Sequence, residues 1–464
     1  TYSQLYTTGA VSLAGTIRLQ VAAGFYSTGS LYNIIDAGGG ITGSATLAGN
    51  SLLFVRFDAA NGTLSTGATC VSGICSTSGT TEQTYTVVAT HLNYSTVMAG
   101  LDASYGVTKN QISVATGLDK LITTASNDAS SDAATLLGEV DLLDAAGAKT
   151  FLDSLSPEGY LAYAQALRDQ ANLFSRMVDL RMYDQNSNHP EDGWWLNMTG
   201  QGSFSSTAST AGGYRTRDQL FGITGGYDFS GPRHVWGLAL HASWDKLHYA
   251  PATLSGTNRD FAVALYGAQY FGKLRVSGQL AYNLGHLSAN KTLIIGSYTR
   301  TASASTGENL FKAKGDIGYD IKLGKWKVEP FVGIDFMKGK INGFTETGAS
   351  SADLTVSGIN ADRTDLLAGV YLTKAVGKFR PYVRALYRNA LGNRGTDVIT
   401  AYMNGQTDST FTVTGLTPAK NEVDANVGVN WVFDDAGSLF VGYQGTIRSD
   451  YQAHGINLGI RLEF

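Results

Sequence analysis

The sequence predicts an all-β protein with a helical linker: a transmembrane β-barrel of twelve antiparallel strands, threaded by an α-helix and preceded by a β-helix-like region. Three observations predict this fold. Segments of roughly 10 to 15 residues after residue 193 alternate in polarity with period two, as strands do between lipid and water. The connections between these segments alternate between short and long. A polar segment with helical periodicity precedes the first of them.

The composition agrees with a barrel. The chain is 43% hydrophobic and only 16% charged, whereas roughly 25% charged residues are usual in soluble proteins. Its 56 Gly and 24 Tyr against 7 Pro suit long sheets with tight turns and interfacial aromatic residues. No run of about 18 apolar residues is present, so we expect a membrane form of this chain to cross with strands. The net charge of −4 gives no indication of nucleic acid as a partner.

Residues 1–92 contain short alternating runs, such as 15–21, 30–35 and 51–57, separated by Gly, Asn, Asp and Ser. This spacing predicts either a sandwich or the end of a parallel β-helix. Cys70 and Cys75 are near enough in sequence to close a small disulfide loop in an oxidising periplasm, the alternative being two reduced thiols.

Residues 93–156 predict a helical connecting region, with helices over 107–124, 133–144 and 148–155. Ser156-Pro157-Glu158 then supplies an N-cap, a Pro at the first helical position and an acid in the first turn.

The helix predicted over 157–183 is long and polar. At 1.5 Å per residue it reaches roughly 39 Å, enough to traverse a barrel as thick as a bilayer. Arg168, Asp169 and Asp179 make it too polar for lipid contact, so we expect it inside a water-lined pore. The alternative is an amphipathic helix packed on the outside of a domain.

After a polar hinge over 184–192, the barrel is predicted over 193–464. Short turns are expected at 230–232, 272–273, 324–325, 377–378 and 434–437, and the intervening loops are mostly longer, extending to 393–418. Short turns on one side and long loops on the other are typical of an outer-membrane barrel. The twelve predicted strands cover residues 193–205, 215–229, 234–247, 258–271, 274–287, 308–322, 326–341, 362–375, 379–392, 419–433, 438–448 and 451–464.

One face of these strands is charged, which predicts a polar lumen. Arg380, Arg384 and Arg388 alternate on the ninth strand and are expected to point inward. Two interpretations are open: a solvated lining balanced in sign, or charges that hold the helix, the second being favoured because an enclosed Asp169 or Asp179 needs a partner. The candidate lumen acids are Glu329, Asp335, Glu422 and Asp424.

The C-terminus alternates apolar residues back from a terminal aromatic residue, at Leu458, Ile460, Leu462 and Phe464. This pattern is typical of the signal that the barrel-assembly machinery recognises in bacterial outer-membrane barrels.

With these features in order, the chain resembles the autotransporters of type V secretion over essentially its whole length. Residues 32–43 are similar to the last rungs of a passenger β-helix, and residues 110–119 resemble the stretch before the translocator. Leu155-Ser156-Pro157-Glu158, followed by the long helix, resembles the linker held inside the barrel.

The resemblance implies a function. Residues 193–464 would insert in the bacterial outer membrane as a translocator, the helix would plug the pore, and residues 1–92 would be the end of a passenger displayed at the cell surface. The implied partners are outer-membrane lipid and lipopolysaccharide, the barrel-assembly machinery, periplasmic chaperones and the chain's own passenger, expected upstream of Thr1. Some members cleave the linker at an Asn-Asn pair; here Asn172 is followed by Leu173, so the passenger is expected to stay attached or to be cut upstream.

No catalytic pattern is found: Gly-Asp-Ser-Leu, Gly-x-Ser-x-Gly and His-Glu-x-x-His are all absent from the sequence. We therefore expect no enzymatic activity, no cofactor and no metal site in these residues. The alternative function is that of a porin-like or structural outer-membrane protein with an N-terminal surface domain. Twelve strands and the polar helix favour the autotransporter.

Overall fold

The computed structural model describes residues 2–184, 192–209, 212–250, 253–392, 398–403, 405–407, 410–415, 419–434 and 437–463. Phe464, most of the predicted hinge 184–192 and the middle of the predicted turn 434–437 lie outside the described residues.

The N-terminal region consists of short strands. They are β1 (Leu5–Thr7), β2 (Val11–Leu13), β3 (Thr16–Arg18), β4 (Leu31–Ala37), β5 (Ile41–Gly43), β6 (Thr46–Ala48), β7 (Val55–Ala59), β8 (Gly62–Thr63), β9 (Thr69–Val71), β10 (Ile74–Ser76) and β11 (Gln83–His91).

Three of these strands stack in parallel on three later ones. Residues 5, 11 and 16 pair with residues 35, 41 and 46, so β1, β2 and β3 lie on β4, β5 and β6 with one constant offset. The antiparallel strand β11 then pairs with both β4 and β7 and covers the end of the stack.

The connecting region is helical, as its apolar spacing predicts. It comprises α1 (Tyr94–Gly100), α2 (Asp102–Tyr105), α3 (Lys109–Asn127), α4 (Asp132–Val140) and α5 (Ala145–Leu155), followed by a 3-10 turn at Pro157–Tyr160 and by α6 (Leu161–Asp184). Local chemistry sets the starts of these helices. Thr108 and Gln111 form a reciprocal capping box at the start of α3, and the Ser156 hydroxyl accepts from the Glu158 amide at the 3-10 turn.

Twelve long antiparallel strands follow among the described residues. They are β12 (Gly193–Ser209), β13 (Gly212–Gly231), β14 (His234–Ala250), β15 (Thr253–Phe271), β16 (Leu274–Ile295), β17 (Tyr298–Tyr319), β19 (Trp326–Ile341), β23 (Arg363–Lys374), β24 (Phe379–Ala390), β27 (Asn421–Asp434), β28 (Gly437–Arg448) and β29 (Tyr451–Glu463).

These strands close into a barrel. The first and last pair from Gly193 with Glu463 to Ser205 with Tyr451, and β17 pairs with β19 across the middle of the chain. Closure leaves no open sheet edge, which lipid would not tolerate. The predicted twelve-stranded barrel is therefore confirmed, including its fourth strand.

Side chains alternate across the barrel wall as the sequence predicts. On β27, Val423, Val427 and Trp431 face outward and are exposed, whereas Glu422 and Asp424 face inward and are buried. None of the described helices combines the length and the apolarity needed to cross a membrane.

At the long-loop end of the barrel the structure differs from the prediction. Residues 288–307, expected to be a loop, extend β16 and β17 into one tall hairpin because they pair continuously, from Ser288 with Ser305 to Ile295 with Tyr298. The expected loops 342–361 and 393–418 also contain short strands, which are β20 (Phe344–Thr345), β21 (Leu354–Val356), β22 (Ile359–Asn360), β25 (Val398–Met403) and β26 (Phe411–Thr414). The remaining short strand, β18 (Ile321–Leu323), pairs with the start of β19.

The connecting region packs on these loops. Strands β20, β21, β25 and β26 form a four-stranded sheet, and α3 lies against it. The Asn110 side chain exchanges hydrogen bonds of 2.9 and 3.0 Å with the backbone of Thr414. Gly117 faces Phe411 so closely that a Cβ atom would lie 2.9 Å from the ring. The helices, the loop sheet and the upper barrel share one hydrophobic core.

Candidate functional site: the interface between helix and barrel

Helix α6 lies inside the barrel. Its described side chains are almost all buried although its sequence is polar, because barrel strands surround it and supply polar partners. The predicted location of the helix in the lumen agrees with this arrangement.

Asp179 is the best-partnered residue of the helix. Its carboxylate accepts from Lys314 on β17, from Arg384 on β24 at 2.8 Å and from Gln279 on β16 at 2.9 Å. Three strands thus meet one helix carboxylate, which is 1% exposed. Enclosed carboxylates require such partners, because ion burial without compensation costs several kcal/mol.

A second contact lies about one turn earlier on the helix. The Arg176 guanidinium donates to Asp424 on β27 at 2.7 Å and to Thr446 on β28 at 3.0 Å. Arg388 donates to the other oxygen of Asp424 at 2.8 Å and to Asp335 at 2.6 Å.

Lys312 extends this group of charges on the barrel side. It binds Asp335 at 2.7 Å and donates to the Asn172 side chain of the helix at 2.8 Å. We call the group the paired wall, because each acid in it has a basic partner. It consists of Asp179 and Arg176 on the helix and of Lys312, Lys314, Asp335, Arg384, Arg388, Glu422 and Asp424 on strands.

The C-terminal end of the helix is held by aromatic residues and a further ion pair. The Tyr183 ring stacks on Tyr371 with a centroid distance of 4.7 Å, and the Arg275 guanidinium lies 4.2 Å from the centre of the Tyr183 ring. Arg181 pairs with Asp228 on β13.

The opposite wall has a different chemistry. Asp218, Asp245, Asp260 and Glu308 lie on β13, β14, β15 and β17 with side chains at most 6% exposed. Among the described residues, none of the four has a Lys, Arg or His within ion-pair distance. We call this group the acidic wall.

The acidic wall is held by amides and hydroxyls. The Asn258 amide donates to Glu308 and, at 3.5 Å, to Asp260, while Gln170 of the helix donates to Asp245 at 3.4 Å. Gly285 on β16 leaves room for two of these carboxylates to approach each other, because a Cβ atom there would lie within 3 Å of both Asp260 and Glu308. The described residues contain no group of His, Cys, Asp or Glu arranged to hold a metal ion.

The structure places the residues singled out in the sequence as follows. Arg384, Arg388, Asp335, Glu422 and Asp424 all belong to the paired wall. Glu329 lines the lumen but pairs with Arg275 and, at 3.1 Å, with Lys327. On the helix, Arg168 donates to Gln165 at 3.0 Å, and Asp169 lies 3.8 Å from Arg448.

For Arg380 the structure gives hydrogen-bond partners outside the helix. Its guanidinium donates at 2.7 Å to the carbonyl of Gly377 in the adjacent turn. Arg380 is only the second residue of β24, so it lies closer to the short-turn end of the barrel than Tyr382, beside which Tyr371 and Tyr183 stack.

Sequence reasoning missed several residues of the interface, namely Arg176, Arg181, Lys312, Lys314, Asp228 and Arg275. A signal existed for two of them: Lys312 and Lys314 alternate with apolar residues on β17 and point inward. For Arg176 and Arg181 the sequence predicts only that they lie on the helix. Which barrel strand each side chain faces depends on how the helix fits in the barrel.

At the C-terminus, Leu458 and Leu462 face outward and are about half exposed, at 54% and 47%. Ile460 lies between them on the same face of β29. Cys70 and Cys75 are bonded to each other across β9 and β10.

Comparison with known proteins gives the same architecture. The family model described as "Autotransporter beta-domain" matches residues 194–444. The translocator domain of the autotransporter NalP from Neisseria meningitidis superposes with a TM-score of 0.53 at 14% identity, covering 66% of this chain and 99% of that one.

Two sequence relatives are enzymes by name. Esterase EstA of Pseudomonas aeruginosa is 24% identical over 173 residues, covering 37% of this chain and 27% of the relative. The extracellular serine protease of Serratia marcescens is 21% identical over 315 residues, covering 64% of this chain and 28% of the relative. The chain thus spans little more than a quarter of the length of these relatives.

Proposed function

Because the chain belongs to the autotransporter family through its β-domain, we propose that its barrel carries an N-terminal passenger to the cell surface and is then plugged by α6. The barrel is an outer-membrane translocator domain, as the sequence indicates. The single observation that supports the plug is the contact of Asp179 with Lys314, Arg384 and Gln279 on three strands at once.

The plug is tested by ion conductance. The intact chain in a planar bilayer is expected to conduct poorly, because α6 fills the lumen, whereas a variant lacking residues 157–182 is expected to open a wide channel. A matched control deletes residues 1–92 and retains the helix; it should conduct as poorly as the intact chain. Equal conductance with and without the helix would contradict the plug.

We also propose a domain assignment: 1–92 as the end of the passenger, 93–156 as a connecting region, 157–183 as the pore linker and 193–464 as the translocator. The parallel stacking of β1, β2 and β3 on β4, β5 and β6 supports a solenoid end for the first.

Protease treatment of intact cells tests this orientation. Removal of residues 1–150 from outside supports surface display. Protection would place this region in the periplasm and favour the alternative, a porin-like or structural outer-membrane protein. The Cys70–Cys75 bond fits passage through an oxidising periplasm.

The linker is proposed to remain uncut. Asn172 is followed by Leu173, and its side-chain oxygen accepts from Lys312 at 2.8 Å. Mass spectrometry of the outer-membrane fraction is expected to find α6 continuous with the barrel. A barrel species that begins within residues 161–184 would contradict this.

Residues 1–464 are proposed to have no catalytic role of their own; the esterase and protease activities in the names above belong to those relatives.

Recognition by the barrel-assembly machinery, aided by periplasmic chaperones, is proposed to use Leu458, Ile460 and Leu462 together with Phe464. Deletion of Phe464 should lower the amount of heat-modifiable barrel in the outer membrane. An Ile456→Val control should not.

A further inference from the structure

The outer wall of the barrel carries a cluster of basic side chains on four neighbouring strands. All of them are exposed, and all lie toward the long-loop end of β13 to β16. We call this cluster the outer basic patch. Its members are Arg215, Arg217, Lys246, His248, Arg259 and His286.

The strand register makes the patch continuous. Arg217 is the direct cross-strand partner of His248, and Arg259 is the direct partner of His286. Lys246 lies between them along β14, opposite Thr257 on β15. Direct cross-strand partners have Cβ atoms about 5 Å apart, so the basic groups can act on one ligand.

On the part of the barrel surface that the structure describes, the charges of the patch have no acidic partner. Asp218, Asp245 and Asp260 are the sequence neighbours of Arg217, Lys246 and Arg259, but strand alternation turns these acids into the lumen. Among the described residues, no ion pair within 4.0 Å involves a member of the patch. Its charge is therefore available to an external anion.

The patch lies at the edge of the apolar belt. Phe221, Trp244 and Phe261, all exposed, lie on the same strands nearer the short-turn end, with Trp244 and Phe261 directly following Lys246 and Arg259 on the outer face. The Arg217 guanidinium lies 5.3 Å from the centre of the exposed Phe204 ring. Phe204, Arg217 and His248 also line a surface depression of about 610 Å³. Basic groups directly above an aromatic belt lie at the level of lipid headgroups.

The patch is confined to one side of the barrel. At the same end, the basic residues on the outer face of β19 are Lys338 and Lys340 alone. The outer faces of β27 and β29 carry Asn421, Gln452 and His454 there. A general attraction to an anionic surface would not require this asymmetry.

We propose that the outer basic patch binds the phosphate groups of a phosphorylated glycolipid in the outer leaflet, with its acyl chains against Phe221, Trp244 and Phe261. Arginine and lysine side chains are the usual protein partners of phosphate, and clusters of them beside a membrane bind phosphorylated lipid headgroups. The proposal rests on the outer-membrane placement of the barrel, with its long loops outside, but not on passenger transport.

The test uses the full chain folded in neutral detergent micelles, titrated with bis-phosphorylated lipid A and followed by intrinsic tryptophan fluorescence and by native mass spectrometry. Arg217→Ser/Lys246→Ser/Arg259→Ser is expected to bind about 100-fold more weakly, at roughly a factor of five per charge removed near the headgroup. Lys338→Ser/Lys340→Ser is the matched control and should bind as the unchanged protein does. Arg217→Lys/Lys246→Arg/Arg259→Lys, which conserves charge, should retain most of the affinity.

Three results would overturn the proposal: unchanged binding by the triple Ser variant, equal binding of dephosphorylated lipid A, or full competition by millimolar inorganic phosphate. The first would mean that the patch is not the site, the second that acyl chains alone bind, and the third that free phosphate is the ligand. Heat-modifiable mobility of each variant verifies that the barrel is folded. None of these results depends on whether a passenger is exported.

Discussion

The two walls of the barrel lumen differ in how their buried carboxyl groups are compensated. In the paired wall, Asp179, Asp335 and Asp424 each contact at least two basic groups, and the helix supplies part of the network. In the acidic wall, four carboxyl groups share amide and hydroxyl donors without a basic partner among the described residues.

This difference indicates that the paired wall attaches the helix, whereas the acidic wall only encloses it. Ion pairs with matched partners fix the helix in one register, because displacement would leave several buried charges unpaired at once. The acidic wall contacts the helix through Gln170 and an apolar face that includes Phe174, which stacks on His241 at 5.0 Å. We therefore expect the helix to be held mainly by the paired wall.

The largest expected effect is that of Asp179→Ala. The substitution leaves Lys314 and Arg384 buried without their carboxylate, and breaking a buried pair typically costs about 3–5 kcal/mol. A urea titration of the folded chain in micelles, read by heat-modifiable mobility, should show this loss in the free energy of unfolding. A loss below about 1 kcal/mol would mean that the paired wall does not hold the helix.

Asp260→Asn should behave in the opposite way. Asp260 has no basic partner among the described residues and lies beside Glu308. Loss of its charge therefore removes repulsion between the two carboxyl groups and leaves no buried cation without a partner. The free energy of unfolding is expected to stay the same or to rise, under the conditions used for Asp179→Ala. A loss comparable to that of Asp179→Ala would erase the distinction between the walls.

Glu158 extends the comparison beyond the barrel wall. It is mostly buried at the 3-10 turn with Asn110 as its donor, and burial raises its pKa to about 7. A carboxyl whose folded-state pKa lies above its unfolded value favours the folded state when protonated, so stability falls as pH rises from about 4.5 to about 7. Glu158→Gln should flatten this pH dependence of the thermal midpoint, whereas Asp128→Asn, at a fully exposed position, should not. An unchanged slope in Glu158→Gln would contradict the assignment.

The smallest effect is expected for Arg380→Ala. Its partner is a turn carbonyl outside both walls, so the free energy of unfolding should change by about 0.5 kcal/mol or less. Arg384→Ala on the same strand is the contrast, since it removes a partner of Asp179. Equal losses for the two variants would show that strand position, and not the paired wall, determines the cost.

The sequence predicted the barrel well because period-two alternation encodes which face of a strand meets lipid. It predicted Arg384, Arg388 and Asp424 as inward for the same reason. For Arg380, alternation predicts which face of the strand the side chain is on, but it does not predict how far along the barrel the helix extends; the guanidinium bonds to the turn at Gly377. It missed the four-stranded loop sheet of β20, β21, β25 and β26. These short strands carry little periodicity of their own, and the sheet packs against α3 through β25 and β26.

Amide hydrogen exchange of residues 161–184 in the folded full chain shows whether α6 is enclosed in the lumen and held by the paired wall. We expect protection that lasts for hours, comparable to that of the barrel strands, and a marked loss of this protection in Asp179→Ala. Exchange of these amides within seconds in the unaltered chain would place the helix outside the barrel and contradict its enclosure.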